Sequence, residues 1–215
     1  MKSKYTRQSP SPRYRQLLEQ YRIMHVEGEK FLGIPPEKTF PGSSLAPQAA
    51  HIKRMIKRTG ARSLLDYGSG KGRQYELRRV ADADEGIEYP DFKSYWGIEE
   101  LRLYDPGYAR YNELPTGTFD GVISTDVLEH CPEEDIPWIL DEMIGYARKF
   151  VFANVACFPA KKRLPSGGNA HCTIKPDRWW QEQIGRAVRA RPELRYEFRL
   201  AYLEGQEIRE SLIAA

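Results

Sequence analysis

The sequence is poor in cysteine: three among 215 residues, with no C-x-x-C pair. That excludes a disulfide framework and suits a reducing cytoplasm, where we expect the protein to work. It also lacks a long apolar run. The stretch from Phe150 to Phe158 falls far short of the roughly 18 residues that would suggest a membrane span, so no membrane association is expected. The basic first residues have no apolar segment behind them, which argues against a secretory signal. An excess of one charge is missing too, because a net charge of +3 does not by itself point to nucleic acid. No repeat and no low-complexity tract is visible. What is present, 40% hydrophobic and 29% charged residues, is the balance of one soluble globular core. The charge is uneven in one place. Lys2, Lys4, Arg7, Arg13 and Arg15 all precede the first acid, Glu19, and read either as a solvated tail or as an arm closing over an anionic substrate.

Along the chain, Ser11-Pro12 reads as an N-cap with proline at the first helical position. Tyr14, Leu17, Leu18, Tyr21 and Met24 then recur at helical spacing up to Gly28. Residues 29–44 carry paired prolines and glycines and read as a loop. A second helix is expected from about Leu45 to Arg58, ending at Gly60. Ser63 to Tyr67 is a short apolar strand that runs into Gly68-Ser69-Gly70-Lys71-Gly72, with a helix carrying Tyr75, Leu77 and Val80 expected behind it. Residues 81–98 look like an acidic, aromatic surface excursion. Strands are expected at Leu101–Tyr104, Phe119–Thr125 and Phe150–Ala156, with an amphipathic helix over 133–149. Pro176 opens a helix carrying Trp179, Trp180, Ile184 and Val188. Tyr196, Phe198, Leu200 and Tyr202 alternate as a late strand. Strands alternating with helices predict an α/β fold with a mostly parallel sheet.

A strand feeding a glycine-rich turn is a nucleotide-binding device, since glycines let the turn tighten and a ligand approach the backbone. The spacing Gly68-x-Gly70-x-Gly72 is not the dinucleotide G-x-G-x-x-G, because Arg occupies position 73. No G-K-[ST] follows, so the phosphate loop of ATPases fails as well. Asp66 would repel a pyrophosphate and suits a cationic ligand.

Leu65 to Gly72 resembles the first motif of the class I S-adenosylmethionine-dependent methyltransferases. Phe119-Asp120-Gly121-Val122-Ile123, followed by Asp126-Val127-Leu128-Glu129-His130, resembles that family's fourth-strand motif. The resemblance covers roughly residues 45–190. It implies a Rossmann-like three-layer sandwich and S-adenosyl-L-methionine as cofactor. By the same resemblance, Asp66 would hold the cofactor's ammonium, while Tyr67, Gly68, Ser69, Gly70 and Gly72 form the turn beside its methionine part. Asp105 would take the ribose hydroxyls, and Asp126, Val127 and Leu128 would border the ligand after the fourth strand. The chain departs from the family in three places. Asp105 follows Gly72 by 33 positions, against about 20 in related nucleotide folds, which leaves Glu99 or Glu100 as alternatives. The segment from Asp105 to Phe119 is too short for a full third strand and helix, so that edge is expected to be reduced. The short tail leaves the usual terminal antiparallel hairpin in doubt.

Ligands in open parallel sheets bind beyond the carboxyl ends of the strands. His130-Cys131, Cys157 and His171-Cys172 converge on that rim, the last in a long polar loop typical of functional segments. His171 is the favoured general base, able to take a proton from an acceptor hydroxyl. His130 is the second candidate, with helix capping or packing as its plain alternative, and Glu129 or Asp126 could orient either imidazole. Adjacent His-Cys dipeptides lack zinc-ligand spacing, so no metal is expected and the cysteines read as packing residues. One of Trp179 and Trp180 should be core, and the other could wall the acceptor pocket. Residues 1–44 form an N-terminal arm and extra helix, whose Tyr14, Tyr21 and His25 could cover the acceptor of a 45–215 catalytic domain. The expected reaction is O-methylation of a small polar acceptor. A nucleic-acid methyltransferase using the basic arm, and a cofactor-binding pseudoenzyme that regulates a partner, are the alternatives. The sequence leaves the oligomeric state open.

Overall fold

A computed structural model of the chain describes residues 4–82 and 85–215. Lys2 of the basic arm, and positions 83–84 of the 81–98 segment, lie outside the described residues. The helices are α1 (Pro12–Glu27), α2 (Leu45–Thr59), α3 (Phe92–Trp96), α4 (Ile136–Tyr146) and α5 (Asp177–Val188). The strands are β1 (Ser63–Tyr67), β2 (Val80–Asp82), β3 (Ile87–Tyr89), β4 (Glu100–Tyr104), β5 (Phe119–Thr125), β6 (Ala147–Ala156), β7 (Arg195–Glu204) and β8 (Glu207–Ala214). Six of these strands form one sheet in the order β4-β1-β5-β6-β7-β8. All neighbours are parallel except β7 and β8, which close the sheet as an antiparallel hairpin. Among the described residues no helix is long and apolar enough to cross a membrane.

Alternation along the strands builds two cores. Leu65, Val122 and Val151 face α4 and α5, while Leu64, Ile123, Phe150 and Phe152 face α2 and α3. Strands buried on both faces are what a parallel sheet covered by helices requires. Gly121 is glycine because a Cβ there would meet the ring of Phe150 at 2.3 Å.

The N-terminal segment is built into the fold. Ser11 caps α1 by accepting from the Tyr14 N–H at 3.0 Å, and its own hydroxyl donates to Asp135 at 2.5 Å. Arg7 lies over the Trp138 ring and donates to Glu142 of α4 and to the Tyr67 hydroxyl. A solvated tail is therefore the wrong description of Arg7, since its charge is neutralised by a half-buried carboxylate.

Three other expectations need correction. The helix after the glycine turn is a single 3-10 turn, Arg73–Glu76, and Val80 belongs to β2. The Tyr75 hydroxyl is drawn to Asp66 and the Arg73 N–H to Pro41, so the chain leaves the turn without continuing a helix. Residues 81–98 are only partly a surface excursion: the β2–β3 hairpin is largely exposed, but Phe92, Tyr95, Trp96 and Ile98 are core. Those aromatics pack against α2 and Tyr75, with Trp96 donating to Ala49 of α2. Helix α4 stops at Tyr146, because Ala147 already pairs with Phe119 across the sheet.

Candidate functional site

The glycine turn leaves β1 at its carboxyl end, and Gly68, Gly70 and Gly72 all adopt positive φ (90°, 57° and 61°). All three are also closely approached: a Cβ on Gly72 would meet the Leu103 side chain at 2.7 Å. A Cβ on Gly68 would meet the Val127 side chain at 2.4 Å, and one on Gly70 would meet the Phe40 carbonyl oxygen at 2.5 Å. Every N–H from Gly68 to Arg73 is satisfied by the chain. Gly68 and Ser69 donate to Tyr104, Lys71 to Phe40, Gly72 to Ser69 and Arg73 to Pro41. Gly70 donates to Asp105 Oδ2 at 2.9 Å. A phosphate could dock here only by displacing these bonds, which agrees with the absence of a phosphate-loop sequence.

Asp66 lies under this turn, buried, with Oδ2 accepting from Tyr75 at 2.8 Å. Its Oδ1 is buried without a hydrogen-bond partner among the described residues. Burial raises its pKa from 3.8 to about 7, against the pull of Tyr75, with Asp105 adding to the rise. A buried acceptor with nothing to accept is expensive. An ammonium or a hydroxyl at Oδ1 would relieve it.

Asp105 stands at the end of β4, beside the turn. Its Oδ1 accepts from Gly107 at 2.8 Å, and its carboxylate is pushed up by burial and pulled down by these backbone donors. The Tyr108 N–H also acts on this carboxylate, and His25 Nε2 lies 3.9 Å from Oδ1. Two oxygens with four lone pairs still have room for a further donor. Glu99 and Glu100 sit at the opposite end, where Glu100 is in register with Ser63 and Glu99 pairs with Arg62. Of the three acids, Asp105 alone adjoins the glycine turn. Below it, buried Lys71 donates to His25 Nδ1 at 3.0 Å and to the His25 carbonyl at 2.9 Å, and His25 stacks on Tyr108. Burial first, and Lys71 second, lower the His25 pKa to about 3.

Tyr67 is committed elsewhere, donating to Glu142 at 2.9 Å. Ser69 and Leu128 are buried, and Val127 packs on Gly68. Asp126 has φ 53°, a left-handed conformation that aspartate tolerates. It is held by Asn154, whose carbonyl accepts its N–H and whose side-chain amide donates to its carboxylate. Burial raises the Asp126 pKa, partly offset by Asn154, His171 and Lys162.

The rim brings the two histidines together, ring centroids 4.8 Å apart and edge to face. His171 donates from Nδ1 to the Phe158 carbonyl at 2.6 Å, and His130 from Nδ1 to the Ala170 carbonyl at 3.0 Å. Carbonyls only accept, so His171 carries its proton on Nδ1 and keeps a lone pair on Nε2. The His130 Nδ1 also lies 3.0 Å from the Tyr21 hydroxyl. Burial lowers both pKa values. His130 falls to about 3, with His171 as a secondary cause, while Phe158 and Asp126 partly support His171. Tyr21 of α1 donates to the Ala170 carbonyl at 2.7 Å and so ties the N-terminal helix to this rim. Tyr14 is core, edge to face with Trp138. Glu129 touches neither imidazole by a hydrogen bond but fastens the loops: its Oε1 accepts from Ala156, and its carbonyl accepts from Cys172 and Thr173. Trp180 is fully buried, and Trp179 packs beside it under Lys175. Cys157 is buried, and Cys131 and Cys172 are half-buried.

Sequence reasoning missed the strap at Phe40-Pro41-Gly42. Phe40 has φ 51°, unusual for a bulky residue. Its ring lies 6.2 Å from His130, between the glycine turn and the histidine pair. Pro41-Gly42 signals a tight turn, but nothing local says that it packs on a turn 30 residues away. Tyr75 and Asn154, which hold Asp66 and Asp126, were missed for the same reason. No family model, curated protein or solved structure matches the chain.

Proposed function

We propose that the protein is an S-adenosylmethionine-dependent methyltransferase of Rossmann-like fold, acting on a hydroxyl of a small polar acceptor. The observation that carries this reading is the unpartnered, buried Oδ1 of Asp66 beneath a glycine turn with no free N–H. That donor set suits a ligand with an ammonium and no phosphate. Asp105, with lone pairs to spare beside the turn, suits a ribose diol. The sheet edge at β4, with no further strand before β5, agrees with the reduced third-strand edge.

When bound, the cofactor supplies an electrophilic methyl on a sulfonium. The chain's own residues then have distinct tasks. Asp66 neutralises the ammonium end, and the turn between Gly68 and Gly70 fixes its position. His171, with Nδ1 anchored on Phe158, takes the acceptor proton at Nε2. His130, with its pKa near 3, is a poor base and serves by packing against His171. Alignment and exclusion of water supply much of the rate. Arg7 of the basic arm is paired with Glu142, which turns one of that arm's cations inward and supports the small-acceptor reading over nucleic acid.

The test is calorimetry with S-adenosylhomocysteine on the wild-type chain and on Asp66→Asn. Binding by the first, weakened in the second, supports the reading. A folded wild-type chain with no affinity for S-adenosylhomocysteine overturns it.

A further inference from the structure

Helix α1 and the loop over 160–172 enclose a groove of about 400 Å³, which the cofactor reading leaves without an occupant. Arg13, Gln16 and Gln20 line it from one face of α1, at i, i+3 and i+7. Ser166 and His171 line it from the loop. Its apolar floor is Leu17 against Leu164, both buried and packed with Met24.

The loop wall is preorganised. Asn169 Oδ1 accepts from the Ala160 and His171 N–H groups, each at 2.9 Å, and its amide donates back to the Ala160 carbonyl at 2.9 Å. Leu164 donates to Gly168 at 2.7 Å. Gln20 Oε1 accepts from the Ser166 N–H at 3.0 Å, bridging the two walls and leaving the Gln20 amide N–H groups for a ligand. The one charged lining group is the exposed Arg13 guanidinium; the other polar lining groups are amides, a hydroxyl, a thiol and an imidazole. Ligand sites span about 300–1,000 Å³, so this one suits a single sugar ring.

We propose that this groove is the acceptor site and takes a monosaccharide-sized polyol carrying one carboxylate or phosphate. The inference rests on the methyltransferase reading and adds the substrate class. Arg13 binds the anion as a fork of N–H donors. The Gln16 and Gln20 amides and the Ser166 hydroxyl hydrogen-bond the sugar hydroxyls. One hydroxyl faces His171. Its oxygen forms the new bond to the methyl carbon, the carbon–sulfur bond breaks with its electron pair left on sulfur, and the hydroxyl proton passes to His171 Nε2.

The experiment is calorimetry of the full chain with D-glucuronate, D-glucose 6-phosphate and uncharged D-glucose, repeated on Arg13→Gln. Arg13 is exposed, so the variant should fold. The expected result is binding of an anionic sugar, weakened at least about tenfold by Arg13→Gln, as loss of a hydrogen bond to a charged group implies. Glucose should bind more weakly and equally to both proteins. A preference for glucuronate or for the phosphate identifies the anion. Failure of both anionic sugars to bind, or equal affinity in Arg13→Gln, overturns the proposal. S-adenosylhomocysteine titrated into the same samples separates the two readings. Its binding without that of the sugars removes the groove proposal alone, whereas sugar binding without it removes the methyl-transfer role and with it the acceptor assignment.

Discussion

The two ends of the sheet treat the same chemical group in opposite ways. At the amino end, Asp120 accepts from the Arg62 N–H at 2.8 Å and from Arg148 at 3.1 Å, with Lys149 3.3 Å away. Those donors outweigh burial, and its pKa is lowered. At the carboxyl end, Asp66, Asp105, Asp126 and Glu129 are all raised, chiefly by burial. Buried oxygens of Asp66 and Glu129 have no partner there among the described residues. The amino end is electrostatically finished, and the carboxyl end is incomplete. Acids held above their usual range in one region mark candidate functional sites, and here they coincide with the end where parallel sheets bind ligands.

The largest expected effect is on ligand binding. Asp66→Asn should weaken S-adenosylhomocysteine roughly tenfold to a hundredfold by calorimetry, the worth of one hydrogen bond to a charged group. Its thermal stability should not fall, because the substitution removes a buried carboxylate that lacks a full set of partners. Asp120→Asn should do the reverse, leaving binding intact and costing about 1.5–3 kcal/mol in denaturant unfolding. If both variants behave alike, the contrast between the ends is wrong.

pH sharpens the same contrast. Asp66 has a folded pKa above its unfolded one, so its stabilising contribution is present below about pH 4 and is lost as pH rises toward 7. Asp120 has a depressed pKa, so its contribution is present above the unfolded value and is lost on acidification. The melting-temperature difference between Asp66→Asn and wild type should therefore grow from pH 5 to pH 8. Affinity for the adenosyl ligand should strengthen about tenfold from pH 6 to pH 8, as the ionised fraction of Asp66 rises through its pKa. A flat affinity profile would separate Asp66 from the ligand.

Smaller effects test the turn and the rim. Gly70→Ala pushes a Cβ to 2.5 Å from the Phe40 carbonyl at φ 57°, and should destabilise by more than about 1 kcal/mol while exposing the strap to limited proteolysis. Once an acceptor is in hand, His171→Ala should lower kcat about a hundredfold or more, in the range of general-base catalysis. His130→Gln should change it less. Glu99→Gln, whose exposed pair with Arg62 lies at the finished end, should shift stability by less than about 1 kcal/mol.

Much of this was legible in order along the chain. Ser11-Pro12 starts α1, Gly60 ends α2 with φ 61°, and β5 spans Phe119–Thr125 as its apolar run implied. The resemblance singled out Asp66, two residues before Gly68, and Asp105, before Pro106, and the structure sets both carboxylates beside the glycine turn. The failures share a cause. The segment behind Gly72 has helical periodicity, yet Tyr75 and Arg73 are held by partners in β1 and the 40–42 strap. The 81–98 segment reads as an acidic, aromatic surface excursion, yet Phe92, Tyr95 and Trp96 are core, packed under α2.

The sequence by itself determined β1, β4, β5, β6 and β7, the start of α1 and the end of α2, and the glycine turn with the acids beside it. Each depends on periodicity or on backbone conformations that neighbouring residues dictate; β2, β3, α3 and β8 came only with the fold. Only the tertiary structure decided that Arg7 is neutralised inside the fold, that Phe40 covers Gly70, and that His130 and His171 meet edge to face. Those contacts join residues 30 to 135 positions apart. Their free energy comes from desolvation and pairing that exist only once the sheet has closed around them.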